Sequence, residues 1–295
     1  MLNAKNWLLQ GCLLVLLPLY VVADDQLTFA SWNLEWLSSQ PSAKFPSSQR
    51  NHLDYQALGR HFNALNSDVL AFQEVNDLES LGKVVGSDYH LYLSERSQPE
   101  YRQRQFTDIN QYTGFAVRKG VTVENKADLK LDRQSTSKQR FAAYLVVNPN
   151  SDSPLHLLSV HLKARCSGAY KDNPSCRTLN SQAKALNRWI IQREKHQQAY
   201  MIIGDFNHNL AYPNDWLWQT LTLGSKAKLA TANTPAVCKV RSRKQPNKTH
   251  QFRSLIDHVV TSQQLHVTQV AQVTYDINEL LRYRLSDHCP LRIRL

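Results

Sequence analysis

Six apolar segments of this 295-residue chain run directly into an acid, an amide or an imidazole: Asn33, Glu74, His161, the pair Asp205 and Asn207, Asp257, and Asp287-His288. The most informative is Met201-Ile202-Ile203-Gly204-Asp205-Phe206-Asn207-His208-Asn209, an apolar run ending in glycine and then in polar groups. A carboxylate such as Asp205 can take a proton from water, and an amide such as Asn207 can donate to an oxygen that is gaining charge. Each group also has an ordinary reading. In that reading Asp205 and Asn207 close a turn on their own backbone. Glu74 is then a helix N-terminal charge, His161 a rim histidine, Asp257 a buried acceptor and His288 plain turn chemistry beside Pro290. Burying six such groups separately would be expensive, whereas one shared pocket or cation removes the cost.

The elements that must position these residues follow from periodicity. Leu27 to Trp36 reads as a strand with Asn33 and Glu35 on one side and Trp32, Leu34 and Trp36 on the other; Glu35 is expected at the surface or behind Asn33. Arg50 to Asn66 reads as a helix with a buried stripe of Leu53, Ala57, Leu58, His61, Phe62 and Leu65. Asp68 to Val75 is a buried strand delivering Glu74, followed by a short helix. Strands are expected at Tyr89–Ser94, Tyr112–Val117, Val121–Glu124, Phe141–Val147 (with Arg140 at its start) and Leu155–Lys163, with 95–111 a polar loop. Leu179 to His196 is a helix feeding the Met201 strand, and a Trp-rich helix follows at Asp215–Thr222. Leu255–Val260 and His266–Tyr275 read as strands. Many strands with few helices, no repeat and no linker predict one α+β domain over residues 24–295.

The first 23 residues stand apart: Lys5, an apolar run from Trp7 to Val22, and small residues ending at Ala23. That is the pattern of a cleaved export signal, and the run is too short and too interrupted for a membrane anchor. The run continues past Cys12, which argues against lipidation there. Four cysteines then remain, Cys166, Cys176, Cys238 and Cys289; an even number in an exported chain predicts two disulfides with three possible pairings. The short loop between Cys166 and Cys176 favours that pair, leaving Cys238 with Cys289. Zinc is not supported, because no C-x-x-C spacing occurs. Glycine is scarce and no phosphate-cradling glycine motif is present, which excludes the common nucleotide-binding loops. Net charge is +11, and from Trp216 to Ile256 there is no acid but eight Lys or Arg. So long a one-signed stretch predicts a surface facing a polyanion, nucleic acid before anionic lipid.

Taken in order, Ser31-Trp32-Asn33, Phe72-Gln73-Glu74, Ser159-Val160-His161, Gly204-Asp205-Phe206-Asn207, Ile256-Asp257-His258 and Ser286-Asp287-His288 resemble the endonuclease/exonuclease/phosphatase superfamily, the fold of pancreatic-type deoxyribonuclease. The resemblance implies a four-layer αββα sandwich of two mainly antiparallel sheets and a divalent-metal phosphodiesterase. It implies that Glu74 holds Mg2+ (Mn2+ or Ca2+ being alternatives), with Asn33 and Asp287 assisting. Asp205 would activate water, Asn207, His161 and Arg140 would contact phosphate, and Asp257 would hold His288. His208, His258 and Asn209 would shape the site. The expected function is an exported nuclease acting on DNA. The alternatives are a phosphatase or phospholipase C-type hydrolase of sphingomyelin or inositol phosphates, and a catalytically silent polyanion-binding module.

Overall fold

A computed structural model describes residues 27–295; the expected export signal at residues 1–23 lies outside them. Among the described residues, the strands are β1 Thr28–Leu37, β2 Val69–Val75, β3 Tyr89–Leu93, β4 Tyr112–Arg118, β5 Val123–Lys130, β6 Phe141–Val147, β7 Leu155–His161, β8 Ala199–Asp205, β9 Lys228–Leu229, β10 Lys239–Arg241, β11 Thr249–Gln251, β12 Asp257–Thr261, β13 Gln269–Gln272 and β14 Leu291–Arg294. The α-helices are α1 His52–Leu65, α2 Leu78–Val85, α3 Pro174–Lys195, α4 Trp216–Thr222 and α5 Ile277–Arg282.

Two six-stranded sheets result, ordered β13-β14-β1-β2-β4-β3 and β5-β6-β7-β8-β12-β9, while β10 and β11 form a separate hairpin. Each large sheet contains one parallel pair, β1 with β2 and β7 with β8, and is otherwise antiparallel. A parallel neighbour requires a crossover, and α1 and α3 lie in the connections that supply it.

Three apolar clusters define the layers. Phe29, Val69, Ala71 and Phe115 of the first sheet meet Leu157, Met201, Ile203 and Val259 of the second. The other face of the first sheet, with Trp32, Leu70 and Phe72, packs on Leu58 and Phe62 of α1, Leu81 of α2 and Leu280 of α5. The outer face of the second, with Leu158, Tyr200 and Ile202, packs on Leu186 and Ile190 of α3 and Leu217 of α4. The order is therefore helix, sheet, sheet, helix.

Local chemistry fixes the helix ends. Asn51 and Asp54 form a reciprocal capping box at α1, and Asn66 ends it in a left-handed conformation. Several expected boundaries move. Leu53 is 47% exposed, so it is not part of the buried stripe of α1; Tyr55 is buried instead, because its hydroxyl donates to Ser38 O in the loop that α1 also covers. The Val121 strand begins at Val123 and runs to Lys130, the 95–111 loop contains the 3-10 turns Glu95–Ser97 and Pro99–Arg104, and α3 starts earlier, at Pro174 behind its cap Asn173. The outer strand expected over His266–Tyr275 pairs with β14 only through Gln269–Gln272.

Both disulfides form, Cys166–Cys176 and Cys238–Cys289. The second ties the base of the β10–β11 hairpin to the residue after His288.

Candidate active site

Strand parity builds the site. Side chains of one parity fill the space between the sheets, and on five strands that row ends in a polar group: Phe29 then Ser31 then Asn33; Val69 then Ala71 then Gln73; Leu157 then Ser159 then His161; Met201 then Ile203 then Asp205; and Val259 then Asp257. Register aligns the ends, since Asp205 pairs with His161 on one side and with Asp257 on the other, and Asn33 pairs with Gln73. The polar groups therefore collect at one end of the inter-sheet core.

Glu74 has the opposite parity and reaches the site by a bulge. It takes a left-handed φ of 60°, as do Glu35 (44°) and Trp36 (53°) beside it, and the β1–β2 and β2–β4 registers both shift there. Bulges of this kind re-aim side chains at sheet ends. Expected alternation therefore fails after Leu34. Glu35 turns to Ser47 and to the backbone N–H of Asp287 (3.0 Å), and the N–H of Trp36 donates to Glu74 Oε2 at 3.2 Å. Gly204 is required for a different reason. Its φ is 142°, and a Cβ there would lie 2.1 Å from Val160 O.

Asp205 is the hub. Its Oδ2 accepts from Asn33 Nδ2 (3.0 Å) and Asn207 Nδ2 (3.1 Å), and its Oδ1 accepts from Asn207 N (2.7 Å). His161 Nε2 stands 3.5 Å from it and His288 Nε2 3.8 Å. Glu74 Oε1 accepts from Asn33 Nδ2 at 3.2 Å and lies 3.6 Å from His161 Nε2. Asn33 Oδ1 is occupied by the N–H of Glu35, so this amide presents its donors to the two carboxylates. His288 donates from Nδ1 to Asp257 Oδ2 at 2.8 Å. Its carbonyl accepts from Trp32 Nε1 and the Tyr275 hydroxyl, and Ser286 Oγ donates to Asn33 O at 2.6 Å, so the Ser-Asp-His turn is clamped to β1.

Burial and neighbouring charge set the protonation states. Burial, reinforced by Asp257 and Glu74 and opposed by His288, pushes Asp205 up to about 7. Burial alone would discharge His288, but Asp257, Asp205 and Asp287 together raise it well above the ordinary histidine value. His161 goes the other way, held well below that value by burial and by Arg140 and His288. At neutral pH the site therefore pairs an imidazolium with a neutral imidazole, beside a carboxyl whose proton affinity burial raises.

The remaining expected residues lie around this centre. Arg140 donates to Gln111 Oε1 and is within the field of Glu74 and Asp205. Asp287 contributes no ligand atom to the cluster of Glu74, His161 and Asp205 or to that of Asp205, Asp257 and His288, but borders the second: its Oδ2 takes a 2.6 Å contact from Arg243 Nη2, and its Oδ1 is 4.0 Å from His288 Nε2. His208 bonds Asp215 and Cys166 O, and His258 bonds Thr231 and the Leu210 N–H, so both brace loops behind the site. Asn209 Oδ1 accepts from Ala211 N and only shapes its own turn.

Three further residues support the site in ways that the sequence pattern does not assign to them. Gln73 bridges the sheets, donating to Ser159 Oγ at 3.2 Å; its place in the inter-sheet parity row was the available signal. Gln111 holds Arg140, and Arg243 reaches Asp287 across 44 residues; no spacing rule announces either contact.

Among the described residues, two clusters bring ligand atoms within 4.8 Å of one another: Glu74, His161 and Asp205, and Asp205, Asp257 and His288. The first fits a divalent cation better, with two carboxylates and a neutral imidazole, whereas the second contains an imidazolium already bonded to its acid. Buried atoms without a partner, His161 Nδ1 and Asp257 Oδ1, leave unspent hydrogen-bonding capacity in both.

Comparisons with known proteins bear on the family and the fold. The sequence profile of the Endonuclease/Exonuclease/phosphatase family matches residues 30–288. No curated protein sequence matches the chain. Among solved structures, an endonuclease/exonuclease/phosphatase family protein from Bacteroides thetaiotaomicron superposes with a TM-score of 0.60 at 14% identity, over 91% of this chain and 97% of that one. A mannosyl-6-phosphatase from the same organism gives 0.58 at 14% identity, over 91% and 98%. Truncated TDP2 from Caenorhabditis elegans gives 0.57 at 18% identity, over 92% and 97%. At these identities the structures speak for the fold, and the profile speaks for descent: this chain belongs to the endonuclease/exonuclease/phosphatase family, whose enzymes hydrolyse phosphoester bonds.

Proposed function

We propose that the protein is an exported, divalent-metal-dependent phosphodiesterase that hydrolyses DNA. The observation that carries this reading is the placing of Asp205 between two imidazoles, 3.5 Å from His161 and 3.8 Å from His288, with His288 bonded to Asp257 behind it. A water beside Asp205 gives its proton to the carboxylate as its oxygen bonds to phosphorus. The bond to the leaving oxygen breaks, and the electron pair stays on that oxygen. His288 donates from Nε2 to a non-bridging oxygen, held by Asp257 behind it. Asn33 and Asn207 keep the Asp205 carboxylate in place. Arg140 adds positive charge facing the incoming phosphate. A divalent ion held by Glu74, with Asp205 and His161 beside it, would supply Lewis-acid polarisation of the phosphoryl oxygens and stabilise the leaving oxygen.

DNA is favoured by the acid-free stretch from Trp216 to Ile256, since phosphate neutralisation dominates nucleic-acid affinity. Trp216 and Trp218 pack against the α3–α4 core, which argues against their use as a membrane anchor. The two disulfides support export. The test is hydrolysis of DNA, RNA, sphingomyelin and inositol phosphates by purified protein, with Mg2+ or with EDTA. DNA cleavage that needs Mg2+ and falls steeply with salt is expected. Asp205→Ala and His288→Ala should abolish hydrolysis while DNA binding survives. Turnover of sphingomyelin or inositol phosphates with DNA left intact would overturn the substrate.

A further inference from the structure

A cavity of about 500 Å3 opens beside the catalytic turn and shares Ser286 and Asp287 with it. Its size suits one nucleotide-sized group. Val240, Leu280 and Leu285 give it a carbon floor, and Arg243 and Arg284 stand at its lining. One wall is the β10–β11 hairpin. Cys238–Cys289 ties that hairpin to the residue following His288, so the wall is covalently registered to the site.

Arg243 is the polar feature of this wall. Its side chain is 79% exposed; Nη2 contacts Asp287 Oδ2 at 2.6 Å and Glu35 Oε1 at 3.5 Å. It makes no other hydrogen bond to the described residues. Two carboxylates on Nη2 thus orient the guanidinium while Nε and Nη1 keep their charged donors for phosphate oxygens.

We infer that this cavity seats a nucleotide unit adjacent to the scissile phosphate, its base against the carbon floor and its own phosphate on Arg243. This rests on the phosphodiesterase reading and deepens it, by assigning a place where the substrate is read beyond the bond that is cut. The carbon floor of Val240, Leu280 and Leu285 suits the face of a base better than the hydroxyl-bearing ring of a hexose phosphate. A polyanion suits the hairpin, whose segment from Cys238 to Arg253 carries six Lys or Arg and no acid.

Binding is measured by calorimetry in EDTA on the full chain, with thymidine 3′,5′-bisphosphate as probe and mannose 6-phosphate and dihexanoyl phosphatidic acid as rivals. Arg243→Ala removes the guanidinium, and Ser242→Trp fills the cavity from its rim; circular dichroism checks that both fold. The bisphosphate should bind most tightly of the three, and both variants should weaken it at least tenfold. They should also lower, at least tenfold, the ratio of kcat/KM on an oligodeoxynucleotide to that on bis(4-nitrophenyl) phosphate. Equal bisphosphate affinity in parent and folded variants overturns the inference, as does tighter binding of either rival. Bisphosphate binding lost in the variants, in a parent that cleaves no diester, would leave the cavity assignment standing and remove the hydrolase reading instead.

Discussion

Asp257 stands directly across the β8–β12 pair from Asp205, and His288 spans them, bonding Asp257 Oδ2 through Nδ1 at 2.8 Å and facing Asp205 Oδ2 through Nε2 at 3.8 Å. Two carboxylates on adjacent strands would repel; a cation between them makes the pair tolerable. Against burial, the acids hold His288 in its charged form well above the usual histidine range. A step needing imidazolium is therefore intact below that raised value and is lost as pH rises through it. Asp257→Asn keeps the shape but removes the charge, so the alkaline limb of kcat/KM should move to lower pH. At pH 8 the rate should fall about 10²–10⁴-fold, the range for loss of a positioned acid or base. An alkaline limb that stays in place would mean that Asp257 does not control His288.

Glu74 offers a second test that does not depend on turnover. If it anchors the cation, a divalent ion should raise the melting temperature of the parent, since a ligand at a hundred times its Kd stabilises by about 2.7 kcal/mol. Glu74→Gln should lose most of that rise while its metal-free melting temperature stays near that of the parent. Asp287→Asn distinguishes the neighbouring acid. Asp287 is engaged by Arg243 and sits outside both ligand clusters, so this variant should keep most of the rise. Equal loss in both variants would place Asp287 among the ligands.

Much of this site was legible because parity along a strand is a local property. Once Met201, Ile203 and Asp205 share a face, the same reasoning on Ser159–His161 and Ser31–Asn33 points the polar ends to one place, and the order of motifs supplied the fold. Parity failed where the backbone leaves the extended region. The left-handed Glu35, Trp36 and Glu74 turn side chains that a period of two assigns elsewhere, and nothing in Leu34-Glu35-Trp36 marks a bulge. Leu53 misled for another reason: its helical spacing suits the stripe, but the loop ahead of α1 covers Tyr55 instead. Arg243 was legible only as charge, because its contact with Asp287 depends on how the hairpin folds back.

The disulfides should differ in what they hold. On loop-closure grounds, the 51-residue separation of Cys238 and Cys289 stabilises by about 4 kcal/mol, and the 10-residue separation of Cys166 and Cys176 by about 3. Their positions separate them more clearly. Cys289 follows His288, whereas Cys166 and Cys176 pack in the α3 core. Replacing Cys238 and Cys289 together by serine should lower kcat/KM under conditions where the variant is still folded. The same change at Cys166 and Cys176 should lower stability and leave folded-state activity close to the parent. Denaturant titration combined with assays below the transition measures both, and equal losses of activity would remove the link between hairpin and catalytic turn.

His258 sets a limit on acid tolerance. It is fully buried, its Nε2 accepts the N–H of Leu210 at 3.1 Å, and its Nδ1 meets Thr231 Oγ1 at 2.8 Å. A proton on Nε2 would break the first contact, and burial holds the ring down at about 3. The unfolded chain takes that proton near 6.5. Between about 6.5 and 3 it therefore binds more protons than the native state, and stability falls as pH falls. His156, held at about 4 by burial and by Arg193, acts in the same direction. Asp128, pushed up to about 7 by burial, acts in the opposite one between about 4 and 7. The readout must therefore be the difference between parent and variant. His258→Phe leaves the Leu210 N–H and the Thr231 hydroxyl without their partner, and should cost about 2–3 kcal/mol at pH 7. That difference should narrow as pH is lowered towards 4, because the variant has no proton to refuse. A deficit constant across the range, measured by urea titration at each pH, would show that His258 is not held neutral by the fold.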